Sequence, residues 1–143
     1  MSVMVVDASV AAKWFLPKQG ETLTDEALEL FRCHTRGEIL FIVPDLFWAE
    51  VANIFWKTVR QGRCAKAVAE TALASLQQTK LTTVPSQTLL KSAFGIATAF
   101  DRTVYDGLYV AVAVLLKIHL ITADQRLVNA LAATLPVKWL GAL

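Results

Sequence analysis

Ser2-Val3-Met4-Val5-Val6-Asp7 opens the chain with an apolar run that stops on a carboxylate. His119-Leu120-Ile121-Thr122-Ala123-Asp124 repeats the pattern near the other end. A strand wetted on one face alternates apolar and polar residues, and neither run alternates. Both therefore read as strands buried on two faces, which is the signature of a parallel sheet covered by helices on both sides. In such sheets ligands bind beyond the carboxyl ends of the strands. Asp7 and Asp124 fall at that edge.

Between these runs the pattern alternates strands and helices. Ala8 to Leu16 reads as a helix stopped by Pro17. Thr22 to Arg36 reads as an amphipathic helix, with Thr22 and Asp25 as start signals and Gly37 as its stop. Ile39 to Val43 is a second buried strand. Pro44 is expected to open a helix that runs to about Gln61 and ends at Gly62. Cys64 to Gln78 is an Ala-rich helix, and Leu81 to Val84 a third strand. Pro85 precedes a helix to Phe100. Thr103 is placed to cap a helix through Lys117. Ala123 to Ala133 reads as helical, and Pro136 to Trp139 as an edge strand. There is no repeat, linker or low-complexity stretch, so residues 1–143 read as one domain.

Two further acids lie in apolar, helix-like stretches: Glu50 and Asp106. Removing a carboxylate from water costs several kcal/mol, roughly, unless something compensates. Asp106 falls in the first turn of its helix, where the positive helix end favours a carboxylate. Four acids at the ends of core elements point to a shared compensator, and a divalent cation is the simplest one. Other acids have plainer readings. Asp25, Glu26 and Glu29 lie on a polar helix face, Asp45 caps or begins a helix, and Asp101 sits in the turn before Thr103.

Composition narrows the class. Hydrophobic residues make up 55% of the 143, and mean hydropathy is +0.49. A membrane span does not explain this, because the run Leu108 to Leu116 is fenced by Asp106 and Lys117 and is far shorter than the roughly 20 residues needed. The N-terminus carries no basic leader, and Asp7 and Lys13 interrupt its apolar stretch, so no signal peptide is expected. Cys33 and Cys64 have no ligand spacing and read as free thiols of a cytoplasmic protein. His34 and His119 are isolated and read as structural. Net charge is +2, from 14 Lys and Arg against 12 Asp and Glu. Without the four singled-out acids, the 14 cations face eight acids, an excess of six. An acidic centre in a basic surround suits a polyanion.

The predicted helix from Pro44 to Gln61 has one polar stripe, Glu50, Asn53, Lys57 and Arg60. Phe47, Trp48, Val51, Ala52, Ile54, Phe55, Trp56 and Val59 make the rest of it apolar. That arc is wider than one core face needs. It predicts a homodimer, and a partner covering the region of Trp48, Phe55 and Trp56.

Val5-Val6-Asp7-Ala8-Ser9-Val10, followed by Lys13-Trp14, resembles the opening of a PIN domain. Pro44-Asp45-Leu46-Phe47-Trp48-Ala49-Glu50-Val51-Ala52-Asn53 is similar to its second motif. Thr103-Val104-Tyr105-Asp106-Gly107-Leu108-Tyr109, with Ala111 and Ala113, is similar to its third. Leu120-Ile121-Thr122-Ala123-Asp124-Gln125-Arg126-Leu127 resembles its fourth. The resemblance spans essentially the whole chain, in order, and is nearest to the VapC-type toxins of toxin–antitoxin pairs. It implies a PIN-like three-layer α/β/α sandwich with a central, mostly parallel sheet of four or five strands. It implies a ribonuclease dependent on Mg²⁺ or Mn²⁺, cutting RNA to a 5′-phosphate and a 3′-hydroxyl, with an antitoxin as protein partner.

The acidic quartet would be Asp7, Glu50, Asp106 and Asp124. Asp7 and Asp124 would bind metal directly, Asp106 directly or through water, and Glu50 would position water or act as general base. Ser9 and Thr122 would be accessory hydroxyls, and Lys13 and Arg126 candidate phosphate contacts. Gly107, where the family often has alanine, is a departure costing about 1 kcal/mol of helix propensity. A non-catalytic interaction module would tolerate loss of the quartet, yet all four acids are present. A haloacid-dehalogenase-like phosphatase needs an aspartate two residues after the nucleophile, where this chain has Ser9.

Overall fold

The computed structural model describes residues 1–18 and 21–143. The opening run forms β1 (Ser2–Val6) in the middle of a five-stranded sheet. Around it lie β2 (Ile39–Pro44), β3 (Thr82–Val84), β4 (His119–Thr122) and β5 (Val137–Trp139). The order is β3-β2-β1-β4-β5 and every neighbouring pair is parallel. The apolar runs are buried on both faces as their lack of alternation requires: Val5, Val6, Phe41, Val43, Leu120 and Ile121 are all essentially inaccessible to water. The expected four or five strands are five.

Seven α-helices flank the sheet among the described residues. α1 (Ala8–Phe15) packs on α2 (Thr24–Thr35), α3 (Leu46–Arg60) and α4 (Lys66–Gln78). A 3₁₀ turn (Ser86–Leu89) leads into α5 (Leu90–Phe100), which packs on α6 (Val104–Leu116), and α6 lies over β1, β2 and β4. α7 (Gln125–Leu131) lies against β4 and β5.

Several boundaries differ from the sequence reading for identifiable reasons. Pro44 does not open α3. It ends β2, paired in register with Val84, and the next backbone N–H, of Asp45, donates to Val84 O at 2.9 Å. The helix begins two residues later at Leu46. α2 starts at Thr24 rather than Thr22, because Leu23 turns the chain in a left-handed conformation, φ 62°. α4 starts at Lys66 rather than Cys64, since Ala65 is extended. α7 is shorter at both ends than Ala123 to Ala133, and Asp124 is its N-cap. Asp101 ends α5 in a left-handed turn, φ 54°, and Thr103 caps α6 by accepting from Asp106 N at 3.1 Å.

Gly107 has a packing reason that helix propensity does not reveal. A Cβ there would lie 2.4 Å from the carbonyl oxygen of Ala93, so alanine at this position would drive α6 off α5.

The wide apolar arc of α3 is largely absorbed within the domain. Phe47, Val51 and Phe55 are buried. Trp48 is half-buried, and its indole N–H donates to Thr83 Oγ1 at 3.1 Å. Only Trp56 of the three named residues is exposed, at 54%, with the Arg60 guanidinium 5.3 Å above its ring. The width of the arc follows from α3 touching α1, α4 and β2 at once. Among the described residues no helix is long and apolar enough to cross a membrane. Cys33 and Cys64 are free.

Candidate active site

The strand order reverses between β1 and β4, since β2 continues on one side of β1 and β5 on the far side of β4. Loops diverge at such a point and leave a crevice beyond the strand ends. Asp7 and Asp124 stand at that crevice. Each is also the N-cap of the helix that follows: Asp7 Oδ1 accepts from Ser9 N at 3.3 Å, and Asp124 Oδ1 accepts from Arg126 N at 3.0 Å and Leu127 N at 3.3 Å. Capping supplies about 1 kcal/mol of reason for an aspartate at each position. It uses one oxygen of each carboxylate.

The two accessory hydroxyls join the two loops. Thr122 is fully buried; its Oγ1–H donates to Asp7 Oδ2 at 2.7 Å, and the same oxygen accepts from Asp124 N at 3.0 Å. Ser9 Oγ accepts from Ala123 N at 3.2 Å. The strand ends are thus tied to each other through side chains as well as through the Asp7 N to Ile121 O hydrogen bond of 3.0 Å.

Glu50 reaches the crevice from the second turn of α3, where Tyr109 of α6 donates its hydroxyl to Glu50 Oε1 at 2.6 Å. Asp106 stands in the first turn of α6, as the helix-end argument requires. Burial is the largest influence on Asp7 and pushes its carboxyl above the usual range. Bonds from Thr122 and Ser9 oppose this, and the charges of Asp106 and Asp124 add to it. Glu50 is raised by burial first, then by Asp7 and Asp106, against the Tyr109 hydrogen bond. Asp106 is raised by burial first and by Asp124, against Arg102. The mutual fields link all four acids, so the fold gathers the quartet into one electrostatic unit. Tyr109 is held well above its ordinary value by burial and by the charges of Asp7 and Glu50, and stays a donor.

Among the described residues no three acidic, imidazole or thiol groups already stand at ligating distance of a common point. Asp7, Asp106 and Asp124, expected as a set of three metal ligands, are neighbours rather than a closed cage. An all-oxygen donor set that repels itself fits Mg²⁺ or Mn²⁺, because Mg²⁺ is held through one or two carboxylates and keeps several waters.

Lys13, read as a phosphate contact, is engaged in an ion pair. Its side chain is 10% exposed and its ammonium donates to Glu21 at 2.9 Å. Glu21 also pairs with Arg63. Arg126 is exposed beside Asp124. The residue that sequence reasoning missed is Arg102, whose Nη2 lies 3.3 Å from Asp106 Oδ2 and 3.9 Å from Asp124 Oδ2. Its four-residue spacing from Asp106 was the available signal, but the link to Asp124 is tertiary.

The fold and site define a doubly wound parallel α/β protein with carboxylates at the topological switch point of its sheet. The chain belongs to the PIN domain family, whose pattern it matches over residues 4–131. It is 36% identical over 130 residues to Ribonuclease VapC3 of Pyrobaculum aerophilum, covering 87% of this chain and 91% of that one. Its fold is similar to the crystal structure of PAE2754 from the same organism, with a TM-score of 0.69, 25% identity, and coverage of 99% of this chain and 85% of that one. It is also similar to a toxin–antitoxin complex from Klebsiella pneumoniae, with a TM-score of 0.60, 17% identity, and coverage of 94% and 95%.

Proposed function

We propose that this chain is a metal-dependent endoribonuclease and the toxin of a toxin–antitoxin pair. The observation that carries the reading is the electrostatic unit formed by Asp7, Glu50, Asp106 and Asp124 at the switch point of the sheet. Asp7, Glu50 and Asp106 are each raised by burial and by the charge of neighbouring acids, and that repulsion contributes nothing to a stable fold. The 36% identity to a named VapC ribonuclease supports RNA as the substrate.

Asp7 and Asp124 would hold Mg²⁺ or Mn²⁺, with Asp106 reached directly or through water. A divalent cation held there would supply an activated water and a counter-charge for the leaving 3′ oxygen. The chain's own residues do the rest. Thr122 orients Asp7 through its 2.7 Å hydrogen bond. Tyr109 holds Glu50, whose carboxylate would orient water or accept its proton. The exposed Arg126, two residues after Asp124, would contact a phosphate of the substrate. Ser9 turns its hydroxyl to the Ala123 backbone, so the second aspartate of a phosphatase site has no counterpart. The structural likeness to a toxin–antitoxin complex supports an antitoxin as partner, and a homodimer and a cytoplasmic setting belong to the same reading.

The test incubates purified protein with mixed RNA and Mg²⁺ or Mn²⁺, with and without chelator, beside Asp7→Asn. We expect cleavage to 5′-phosphate ends, lost on chelation and reduced more than about 100-fold in Asp7→Asn. The magnitude follows because a metal contributes several kcal/mol to the transition state and each 1.36 is tenfold. Cleavage that persists in chelator would sink the metal, and full cleavage by Asp7→Asn would sink the quartet.

A further inference from the structure

Arg102 has no part in the reading above, yet it stands among the carboxylates. Its place is fixed by backbone, since it occupies the short connector between α5 and α6. On one side its N–H closes α5 by donating to Ala97 O at 3.1 Å. On the other side Thr103 caps α6. The connector has no freedom to swing the residue away, so its side chain is directed at the crevice by the ends of two helices.

The contacts made by the guanidinium are loose. One nitrogen, Nη2, serves both Asp106 at 3.3 Å and Asp124 at 3.9 Å. A guanidinium that binds a carboxylate strongly does so with two parallel N–H groups at shorter distance. Here Nε is buried and finds no hydrogen-bond partner among the described residues. A buried donor left unpaired is unfavourable, and native structures keep few of them. The side chain thus gives up a hydrogen bond to put its charge between two acids. Its charge, rather than its hydrogen-bonding geometry, accounts for its position.

We infer that Arg102 is a built-in cation that neutralises Asp106 and Asp124 in the metal-free protein and competes with the divalent ion for them. It is a positioning residue, acting through two carboxylates, and the inference rests on the metal site proposed above. Two cations sharing the same pair of acids repel each other, so each weakens the other's hold. The device keeps the quartet folded while no metal is bound and sets an upper limit on how tightly metal is held.

The experiment measures Mn²⁺ binding by titration calorimetry, and melting temperature in chelator and in excess Mn²⁺, for wild type, Arg102→Met and Arg102→Lys. Methionine keeps the length and removes the charge. We expect Arg102→Met to melt lower than wild type in chelator and to bind Mn²⁺ roughly two- to fivefold more tightly, the range that partly exposed charge pairs supply. A ligand stabilises in proportion to the logarithm of its concentration over Kd, so the melting deficit narrows in Mn²⁺. Arg102→Lys keeps the charge and should bind Mn²⁺ as wild type does. Unchanged or weaker binding by Arg102→Met, with the same melting deficit in both buffers, overturns the inference and leaves the metal site intact. So does a lysine variant that behaves like the methionine one. Wild type that binds no Mn²⁺ overturns the metal reading and this inference together. If Arg102→Met does not fold in chelator, recovery of its fold in excess Mn²⁺ supports the exchange of cations, and failure to recover overturns it.

Discussion

Two charged groups lie at α1, one around the lone carboxylate Glu21 and one of four acids, and they are held in opposite ways. On one side Glu21 lies between Lys13 and Arg63. Burial pushes its carboxyl up, but hydrogen bonds and charge from those two cations outweigh burial and hold it below the usual range. On the other side Asp7, Glu50 and Asp106 are all raised, because burial and mutual repulsion outweigh what Thr122, Tyr109 and Arg102 return. The first cluster contains its own compensation and contributes to stability. The second leaves part of its charge uncompensated within the chain, which is the condition expected of a group of residues kept for binding a cation rather than for folding. Lys13 belongs to the first cluster although its sequence position, one and a half turns past Asp7, suggested the second.

The largest break in that contrast should come from Glu21→Gln. Neutralising Glu21 strips a charged hydrogen bond from Lys13, which is 10% exposed, and from Arg63. Charged hydrogen bonds contribute about 1.5–3 kcal/mol, so a loss near 2 kcal/mol in urea unfolding is expected, discounted for the 26% exposure of Glu21. The pH dependence has a definite sign. Glu21 has a folded pKa depressed below its usual 4.5, so its contribution is present above that value and is lost as pH falls through the folded value. Wild type and Glu21→Gln should therefore differ at pH 7 and converge in acid. A constant difference down to pH 3, roughly, would mean that the ion pair is not the source of the loss.

Asp7→Asn should do the reverse, and by less. A carboxyl whose folded pKa is raised binds protons more tightly in the folded state, so its charge is a liability above the folded pKa that fades as pH falls toward the usual 3.8. In chelator at pH 7 the variant should unfold at a higher temperature, by a few degrees, which is what about 1 kcal/mol produces in a domain of this size. Added Mg²⁺ should stabilise wild type and not the variant. A variant that loses cleavage yet gains metal-free stability separates a functional carboxylate from a structural one. A destabilised Asp7→Asn would instead mean that capping α1 outweighs the repulsion.

The sequence disclosed the sheet because its three central strands are apolar without alternation, a pattern only two-sided burial explains. It disclosed Asp7 and Asp124 because each directly follows or closely trails such a run. What it hid were effects of distant contacts. Pro44 has the local preference of a helix start, but pairing with Val84 keeps it in β2. The apolar arc of α3 looked unpartnered because its width reflects contacts with three elements that the helix pattern cannot name. Asp45 occupies the N-cap position of α3 without capping it, because its carboxylate bonds the Ser86 hydroxyl instead. Arg102 was hidden for the same reason: half of its role lies with Asp124, more than twenty residues away in sequence.

The smallest predicted effect bears on how the acidic cluster is kept usable. Tyr109 is the partial compensator of Glu50, and its hydroxyl stays protonated because burial and the nearby charges of Asp7 and Glu50 hold it far above its ordinary value. Tyr109→Phe keeps the ring that packs in the core and deletes the 2.6 Å hydrogen bond to Glu50, together with the hydroxyl's interaction with the Ala8 backbone. Stability should fall by about 1 kcal/mol, the net value of such a bond, since Glu50 retains access to water. The more telling change is in the pH profile of RNA cleavage. Glu50 is raised by burial, and the Tyr109 hydrogen bond works against that rise. Removing the bond lets burial and the charges of Asp7 and Asp106 raise it further, so the acid limb of the kcat/KM profile should move to higher pH, while the rate well above that limb changes by less than about tenfold. An acid limb that stays in place would show that Glu50 does not need to be ionised for cleavage, and would confine its role to the hydrogen bond that ties α3 to α6.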